Sequence, residues 1–402
     1  MNVPHSPYYG GLSLTRQAAT VDEPILVDVA KFCEGQRTWL LDTITALVRL
    51  ESPTLDKEAV DRCGRALGQR LEAIGAAVSA ITCKGSGDHL RATIGSGSSR
   101  VLLLGHFDTV WPTGQIERMP IREEGGRLHG PGVLDMKAGI AIAMLATRAL
   151  VSTGQLGNRR IVMLWTADEE VGSGSSRGLV ENEARQSDVV FVLEPSLPGG
   201  ALKTARKGCG EFELRVHGVP AHAGLDPTKG ASAIHELATQ ITAFEAIRDL
   251  DRGISLNVGV IEGGARPNVV AEHARAVIDV RVATADDAHR VEKAIRSLEP
   301  SVSGTALEVS GGFSRPPLER TEAVARLYEL ARVLARALGH DLGEGTAGGG
   351  SDGNLTAALG VPTLDGLGAL GEGVHALHEY VEVDQLAWRA AMLAGLIQRF
   401  DN

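Results

Sequence analysis

Imidazole and carboxylate side chains follow three short apolar runs of the sequence. The runs are 101–104, 161–165 and 189–193, and the polar residues behind them are His106, Asp108, Asp168, Glu169, Glu170 and Glu194. Each run is rich in branched residues and too short for a helix, so it predicts a buried strand. The carboxyl ends of parallel strands meet at one edge of a sheet, where ligands bind. Asp135 and His375 lie in two further glycine-rich stretches.

Histidine and carboxylate are the donors that zinc takes when thiols are absent. One catalytic zinc uses about three protein ligands and a water, so five ligands serve two zinc ions if one carboxylate bridges them. Such a pair activates water and polarises a carbonyl group. An isolated His-x-Asp or Asp-Glu-Glu stretch is usually a solvated loop or turn. The metal-site interpretation therefore depends on the joint arrangement of the clusters.

Hydrolysis at such a site also needs a group that takes the proton of the water and passes it to the leaving nitrogen. Glu169 suits this task because it precedes the ligand candidate Glu170 and its side chain can point elsewhere. Asp108 stands two residues after His106. It can accept the second ring N–H of that histidine and set its tautomer.

The hydrophobic pattern predicts the elements that must position these residues. An alanine-rich helix over 139–150 separates the first two strands, and strand, helix, strand implies an α/β domain with a mostly parallel sheet between helices. Residues 1–30 look like a loose arm. From 208 onward, alternating strands and two helices predict a β-α-β-β-α-β unit that ends near 315. After Pro316 and Pro317 the α/β pattern returns.

These shifts predict a discontinuous catalytic domain over 1–207 and 316–402 with an inserted ferredoxin-like α+β domain over 208–315. The length of 402 residues is itself too great for one compact core. The net charge of −10 argues against nucleic acid or an anionic membrane as the main partner. The four cysteines form no CxxC pair, and we see neither a signal peptide nor a transmembrane run, which predicts a cytoplasmic protein.

Taken together, the sequence resembles a family of two-zinc hydrolases. That family includes glutamate carboxypeptidase, acetylornithine deacetylase, succinyl-diaminopimelate desuccinylase and aminoacylase. The motifs that carry the resemblance, in family order, are 105–110 (GHFDTV), 130–139 (GPGVLDMKAG), 166–170 (TADEE), 193–195 (LEP), 222–224 (HAG), 348–352 (GGGSD) and 375–380 (HALHEY). They extend over about 270 residues of the chain.

The resemblance implies a role for each position. His106 and Glu194 would hold one zinc, Glu170 and His375 the other, and Asp135 would bridge. Glu169 would be the general base and acid. The peptide bond after Asp135 is often cis in this family.

Two histidines compete for the last ligand position. In the family the ligand stands four residues before a Glu-Tyr pair, which here selects His375 and leaves His378 as the alternative. Cobalt or manganese can replace zinc at such N/O sites.

The inserted domain resembles the family's lid, which commonly forms a homodimer. His222 matches a histidine that reaches the partner subunit's active site and steadies the oxyanion, and Asn268 matches a residue that helps at the same carbonyl. For both, ordinary loop hydrogen bonding is the alternative. The lid layout and the GGGSD stretch resemble glutamate carboxypeptidase most closely, and Gly350 belongs to that stretch. Arg315, and less strongly Arg281, match positions that bind the substrate carboxylate.

The function these features predict is that of a metallo-carboxypeptidase, with a small N-acyl or peptidic substrate and glutamate as the first candidate for the released amino acid. Glu194 supports this, because in the family Glu at that position accompanies carboxypeptidases and deacylases. The residues around Arg315 depart from glutamate carboxypeptidase, and so does the absent signal peptide. One alternative is an N-acyl-amino-acid deacylase. A second is a metal-bound but inactive binding or scaffold protein.

Overall fold

The structure is a computed structural model that describes residues 23–401. Helices and strands alternate through the first half of the chain. They are α1 (Glu23–Glu34), α2 (Arg37–Arg49), α3 (Lys57–Ala73), β1 (Ala77–Ile81), β2 (His89–Ile94), β3 (Ser99–His106), α4 (Gln115–Arg118), β4 (Arg122–Glu124), β5 (Arg127–His129), α5 (Ala138–Ser152), β6 (Arg159–Thr166), α6 (Arg177–Arg185), β7 (Val189–Val192) and β8 (Leu202–Arg206).

The second half begins with strands and ends in α/β alternation. Its elements are β9 (Gly208–His217), α7 (Ala233–Ile247), β10 (Ser255–Gly263), β11 (His273–Val282), α8 (Ala285–Arg296), β12 (Ala306–Arg315), α9 (Glu322–Ala337), β13 (Glu344–Ala347), α10 (Asp352–Ala358), β14 (Thr363–Leu364), β15 (Gly371–Glu372), β16 (Tyr380–Glu382) and α11 (Leu386–Arg399).

A six-stranded sheet in the order β1-β2-β6-β3-β7-β14 lies at the centre of the α/β part. Strands β6, β3, β7 and β14 are parallel, and β2 and β1 add an antiparallel edge. The parallel register pairs His106 with Thr166, so β3 and β6 end side by side. The mixed α/β fold with a mostly parallel sheet is thus confirmed, and the carboxyl ends of its parallel strands share one edge.

Alternate side chains of the central strands enter two different hydrophobic clusters, as the two-residue period of a strand requires. Leu103 and Met163 pack with α1, α5, α9 and α11 on one face, whereas Leu102 and Leu164 pack with α6 and α10 on the other. Both faces are therefore covered by helices. This explains why the strand sequences are apolar throughout rather than alternating.

The stretch from Gly208 to Arg315 forms a sheet of its own, in the order β10-β11-β9-β12 with every neighbouring pair antiparallel. Its β-α-β-β-α-β element order matches the sequence prediction. Phe212, Leu214 and Val216 of β9 pack with α7 and α8 in a separate hydrophobic cluster. The residues between them face away from these helices. The division into domains at 208 and 315 stays a prediction.

The predicted loose arm is wrong for residues 23–30, and residues 1–22 lie outside the described part of the chain. Helix α1 begins at Glu23, and Pro24 occupies its first turn, where a missing N–H costs nothing. Leu26, Val29 and Cys33 repeat at helical spacing and are buried. Glu23 and Pro24 resemble a loop in sequence, but here they start a helix.

Two smaller sheets complete the fold. Strands β8 and β13 pair in parallel, and β15, β16, β5 and β4 form an antiparallel sheet. Pairing of β16 with β5 places the 373–379 loop over the glycine-rich turn at 130–132. Within residues 23–401, no helix is both long enough and apolar enough to cross a membrane.

Candidate metal centre

Three parallel strands deliver polar side chains to the same edge of the central sheet. His106 is the last residue of β3, Glu169 and Glu170 form a single helical turn three residues beyond the end of β6, and Glu194 follows β7 by two residues. Asp135 lies in a bent segment directly before α5, and the peptide bond between it and Met136 is cis. The side chains that the sequence marks as ligand candidates therefore meet at one place.

The five candidates form two groups that share Asp135. In one group His106 Nε2 lies 3.3 Å from Asp135 Oδ1 and 3.4 Å from Glu194 Oε1. In the other, His375 Nε2 lies 3.2 Å from Asp135 Oδ2 and 3.2 Å from Glu170 Oε2. Each oxygen of Asp135 thus faces a different group, which is the arrangement that a bridging carboxylate requires.

The spacing and the chemistry of the donors fit a pair of zinc ions. Two ligand atoms that each lie about 2.0–2.1 Å from a tetrahedral zinc are separated by about 3.3 Å, close to the distances found here. Asp135 Oδ1 and Glu170 Oε1 are sealed from solvent and have no hydrogen-bond donor among the described residues. A buried carboxylate oxygen without a donor is costly, and a cation between the groups would satisfy it.

Backbone amides hold the Asp135 segment in place. The buried Glu379 carboxylate accepts hydrogen bonds from the N–H groups of Gly132, Leu134 and Asp135, at 2.9, 2.8 and 3.1 Å, and from the Trp111 indole at 3.0 Å. Burial raises the pKa of Glu379 to about 7, although these donors oppose the shift. Glu379 belongs to the motif at 375–380 but is not among the predicted site residues.

The structure places His375, rather than His378, at the second group. His375 adopts a left-handed backbone conformation with φ of 59° and directs Nε2 to Asp135 and Glu170. Such a conformation is uncommon outside glycine and often accompanies a functional constraint. The two carboxylates raise the pKa of His375 to about 10. His378 is exposed and has no such contact in the described chain.

Asp108 is fully buried behind His106. The ring nitrogen His106 Nδ1 lies 3.1 Å from the Asp108 carbonyl oxygen and 3.3 Å from its carboxylate. Both are acceptors, so Nδ1 carries the proton and Nε2 keeps its lone pair for a metal. The same carboxylate accepts the backbone N–H of Glu169 and of Glu170, at 3.3 and 3.2 Å. Asp108 therefore connects the ends of β3 and β6.

Glu169 lies beside both groups without belonging to either. Its carboxylate accepts a hydrogen bond of 2.9 Å from Arg315. Burial raises the pKa of Glu169 well above its usual range, while His106 and Arg315 pull it down. A buried carboxylate next to, but outside, a metal group is suited to carry protons.

Arg315 is buried, and its donors are already in use. It donates to Asp352 at 2.8 Å, to Glu169 at 2.9 Å and to Ser173 at 2.8 Å. A substrate carboxylate, which Arg315 is predicted to bind, would therefore compete with these partners for the guanidinium group. Asp352, at the start of α10, also accepts from Thr166 at 3.2 Å.

Two basic residues of β8 lie behind Glu194, and neither is among the predicted site residues. Arg206 donates to Glu194 Oε2 at 3.1 Å, to Asp365 at 2.6 Å and to the carbonyl oxygen of Gly350 at 3.2 Å. Lys203 Nζ lies 4.0 Å from Glu194 Oε2. Burial and Asp135 raise the pKa of Glu194, but His106 and the basic pair lower it to about 2. Basic residues three apart in a short strand carry no local sign that they are buried.

The remaining predicted site residues lie on the antiparallel sheet and its loops, or beside them. His222 and Asn268 are exposed neighbours, since His222 forms an isolated β-bridge with Val269 and the carbonyl oxygen of Asn268 accepts the N–H of Ala223 at 3.0 Å. Arg281 forms a two-point ion pair with Asp279. Within residues 23–401 no hydrogen bond connects these three to the metal groups. Gly350, in contrast, lies against Arg315.

Comparison with known proteins gives the following matches. Residues 102–399 match the family model described as Peptidase family M20/M25/M40. Carboxypeptidase G2 of Pseudomonas sp. strain RS-16 is 29% identical over 389 residues, which cover 95% of this chain and 90% of the relative. Succinyl-diaminopimelate desuccinylase of Stenotrophomonas maltophilia strain R551-3 is 30% identical over 381 residues, 90% of this chain and 97% of the relative.

Solved structures share the fold. Aminopeptidase PepT from Bacillus cereus ATCC 10987 has a TM-score of 0.76 and 23% identity, covering 91% of this chain and 99% of its own. The YXEP protein of Bacillus subtilis, described as a dinuclear metal binding peptidase, has a TM-score of 0.66 and 14% identity, covering 91% and 98%.

Proposed function

The chain belongs to peptidase family M20/M25/M40, and from that premise we propose that it is a two-zinc hydrolase of an amide bond adjacent to a carboxylate. It releases a C-terminal amino acid, with glutamate as the first candidate, from an N-acyl or peptidic substrate. The observation that carries the proposal is the shared carboxylate. Asp135 turns one oxygen to each donor group, while the largely buried Glu169 lies beside them without joining either.

His106, Asp135 and Glu194 would hold one zinc, and Asp135, Glu170 and His375 the other. When bound, the pair supplies an activated water molecule and a polarised carbonyl group. Zinc is the first choice because the donors are imidazole and carboxylate, and cobalt or manganese would fit the same donors. The dinuclear centre of the Bacillus subtilis YXEP protein, which shares the fold, supports two metals.

Glu169 takes the proton of the attacking water and delivers it to the leaving nitrogen. Arg315 holds the Glu169 carboxylate, and the Asp108 carboxylate accepts the backbone N–H of Glu169, so the proton moves between fixed positions. Asp108 keeps His106 in the tautomer that a metal needs. Arg206 holds Glu194 Oε2, which leaves Oε1 turned toward His106.

The inserted stretch over 208–315 acts as a lid and joins two subunits into a homodimer. His222 Nδ1 accepts the N–H groups of Gly224 and Leu225, at 3.2 and 3.1 Å, so its proton is on Nε2 and points outward. An outward N–H can steady an oxyanion in the partner's site, with Asn268 beside it. The exposed Val260 and Ile261 on the edge strand β10 suit pairing with a second copy. Light scattering of the zinc-loaded protein checks this arrangement.

A deacylase is the second candidate, favoured by the match to succinyl-diaminopimelate desuccinylase over 90% of the chain. The bond that is cut is of the same kind, so the central residues serve both reactions. Rates on N-acyl-glutamates, folate, acetylornithine and succinyl-diaminopimelate distinguish them. If only the last two are hydrolysed, the carboxypeptidase reading fails.

The proposed role of Glu169 is tested with Glu169→Ala. We expect hydrolysis to fall by about 10²–10⁴-fold or more, with two zinc ions retained per chain. Full activity in a Glu169→Ala variant that retains its zinc would contradict proton transfer by Glu169. Loss of zinc together with activity would show that Glu169 holds metal rather than protons. An active wild-type enzyme also excludes a pure binding or scaffold role.

A further inference from the structure

Arg389 is a fully buried arginine in the first turn of α11. Its guanidinium group donates to three carbonyl oxygens, at 2.5 Å to Gly368, 2.6 Å to Gly366 and 3.0 Å to Gly200. No carboxylate of residues 23–401 lies within ion-pair distance of it. Burial lowers the pKa of Arg389 to about 10, which leaves the group charged at neutral pH. Within the described chain, this cation is therefore held by the main chain alone.

A buried charge of this kind is costly if packing is its only task. It loses its hydration, and only well-placed acceptors offset that loss. Exchange of buried ionic groups for apolar residues of similar volume is often neutral or stabilising. The guanidinium group of Arg389 is better explained by the geometry that it fixes, because its planar fork binds several acceptors at once.

Two of the three carbonyl groups belong to the segment that runs beside Glu194. Gly366 and Gly368 follow β14, and the N–H of Gly368 donates to the carbonyl oxygen of Glu194 at 2.9 Å. A Cβ atom on Gly368 would lie 2.2 Å from the carbonyl oxygen of Leu193 and 2.7 Å from that of Glu194. The segment thus lies directly against the main chain of a metal-ligand candidate, and a shift of Gly368 shifts Glu194.

The third carbonyl group lies on the turn that follows Glu194. Gly200 donates its N–H to Leu197 at 3.0 Å and closes this turn shortly before β8. Strand β8 carries Arg206, which donates to Glu194 Oε2 at 3.1 Å. Arg389 therefore acts on Glu194 from two sides, through the main chain beside it and through the turn that leads to its side-chain partner.

The second donor group is anchored by other contacts. His375 lies between β15 and β16, which pair with each other, and Glu379 binds the N–H groups of the segment that carries Asp135. None of these contacts includes a hydrogen bond from Arg389. Loss of Arg389 should therefore disturb the group with Glu194 more than the group with His375.

We propose that Arg389 is a positioning residue that holds Glu194 where a zinc ion requires it. This inference rests on the proposed function, because it assumes that the two donor groups hold zinc. Arg389 acts through the main chain, at one remove from the ligand itself. Loss of a partner that orients a metal ligand typically lowers metal affinity about 10–100-fold.

The test measures the zinc affinity of each donor group separately. His375→Ala leaves the group that contains Glu194, and His106→Ala leaves the group that contains Glu170. Competition with a chromophoric chelator gives the zinc Kd in both backgrounds, with and without Arg389→Gln. We expect Kd to rise about 10–100-fold in the His375→Ala background and to stay within about twofold in the His106→Ala background. An equal rise in both, or no rise in the first, overturns the role of Arg389.

Arg159→Gln is the matched control. Arg159 is also buried and also donates to a carbonyl oxygen, that of Gln398 at 2.5 Å, but it lies at the start of β6, at the sheet edge opposite to the metal centre. Its replacement should lower Tm and leave both Kd values unchanged. A selective rise in this control would overturn the role of Arg389, because lost stability alone would then produce the effect.

Arg389→Lys keeps a charge but cannot reach three acceptors, so we expect a smaller rise in Kd with the same selectivity. If Arg389→Gln does not fold, the lysine variant decides between the same two outcomes.

Zinc affinity and hydrolysis are measured independently, which keeps the two proposals distinguishable. If Kd shifts selectively but the wild type cleaves no amide, Arg389 is supported and the proposed reaction alone fails. If amides are cleaved and the shift in Kd is unselective, the role of Arg389 alone fails. A wild type that binds no zinc overturns both.

Discussion

Arg315 is buried and binds the Glu169 carboxylate, so we expect it to serve the proposed reaction by positioning Glu169. Its planar guanidinium donates to Glu169, Asp352 and Ser173 from three directions, and lysine cannot reproduce that fork. Glu169 follows β6 and Asp352 begins α10, so the arginine ties the predicted proton carrier to a second element. The geometry of this carboxylate therefore depends on a residue 146 positions away.

Replacement of Arg315 tests this positioning role. In Arg315→Lys we expect kcat to fall by about 10–100-fold, because Glu169 loses its fixed orientation, while KM changes little. Steady-state kinetics on N-benzoyl-glutamate and its carboxamide measure the split. A large rise in KM for the carboxylate probe alone would instead support the earlier expectation that Arg315 binds the substrate. Zinc content and thermal unfolding show whether the variant is intact.

Cys83 is predicted to be the reactive thiol among the four cysteines. Hydrogen bonds from Ser86 and Ser175 lower the pKa of Cys83 to about 7, whereas burial raises the pKa of Cys33 to about 12. The thiolate is the nucleophile, so alkylation of Cys83 should increase as pH rises through about 7. Iodoacetamide labelling from pH 5.5 to 9.5, read by mass spectrometry, locates the midpoint.

In native protein Cys33 should stay unlabelled over that range. Ser86→Ala should move the Cys83 midpoint upward, because one hydrogen bond to the thiolate is lost. A midpoint near the ordinary thiol value in the unmodified protein would contradict this reading of Cys83.

At the level of elements, the start of α5 touches the end of β7, and that contact sets the position of a ligand candidate. A Cβ atom on Gly139 would lie 2.1 Å from the carbonyl oxygen of Leu193, the residue before Glu194. Asp135 and Glu194 are thus brought together by a helix and a strand that pack without a side chain between them. The close approach requires glycine at this position.

Gly139→Ala should therefore displace the strand end. We expect a loss of about 1–3 kcal/mol in the free energy of unfolding, together with reduced zinc content. Gly178→Ala is the control, because this glycine lies in α6 with open space around its Cα. Alanine there should leave zinc unchanged and add a few tenths to about 1 kcal/mol of stability. Urea denaturation measures both. Equal stability and zinc content in the two variants would contradict the role given to Gly139.

On the scale of the whole molecule, the metal centre concentrates negative charge inside an acidic protein. The net charge is −10, and the carboxylates of Asp135 and Glu194, which are buried, lie close to those of Glu169 and Glu170, which are partly buried. Like charges at close range destabilise the compact state, and bound cations remove that repulsion. Stability of the fold should therefore depend on metal.

Chelation is expected to lower Tm, and zinc to restore it in a concentration-dependent way. At free zinc 100-fold above Kd, each site contributes about 2.7 kcal/mol. Differential scanning fluorimetry with EDTA and with added zinc measures the change, and metal analysis should find two zinc ions per chain. Asp135→Ala should lose both ions and His375→Ala one. An unchanged Tm after complete metal removal would falsify the stabilising role.

The sequence by itself determined which residues were candidates and which elements carry them. Strand-end placement of His106, Glu170 and Glu194 follows from short apolar runs, and the helices of the inserted stretch follow from their period. Both are local properties, readable within about ten residues. The start of α1 was missed because a first-turn proline looks like a loop until Leu26 and Val29 find their partners.

Only the tertiary structure decided how the candidates share their contacts. It turned the two oxygens of Asp135 to different groups, placed His375 rather than His378 beside them, and occupied Arg315 with Glu169 and Asp352. It also buried Lys203 behind Glu194 without a hydrogen bond. Burial and charge pairing depend on residues distant along the chain, because they arise only when β8, β13 and β14 pack around the ends of β3, β6 and β7.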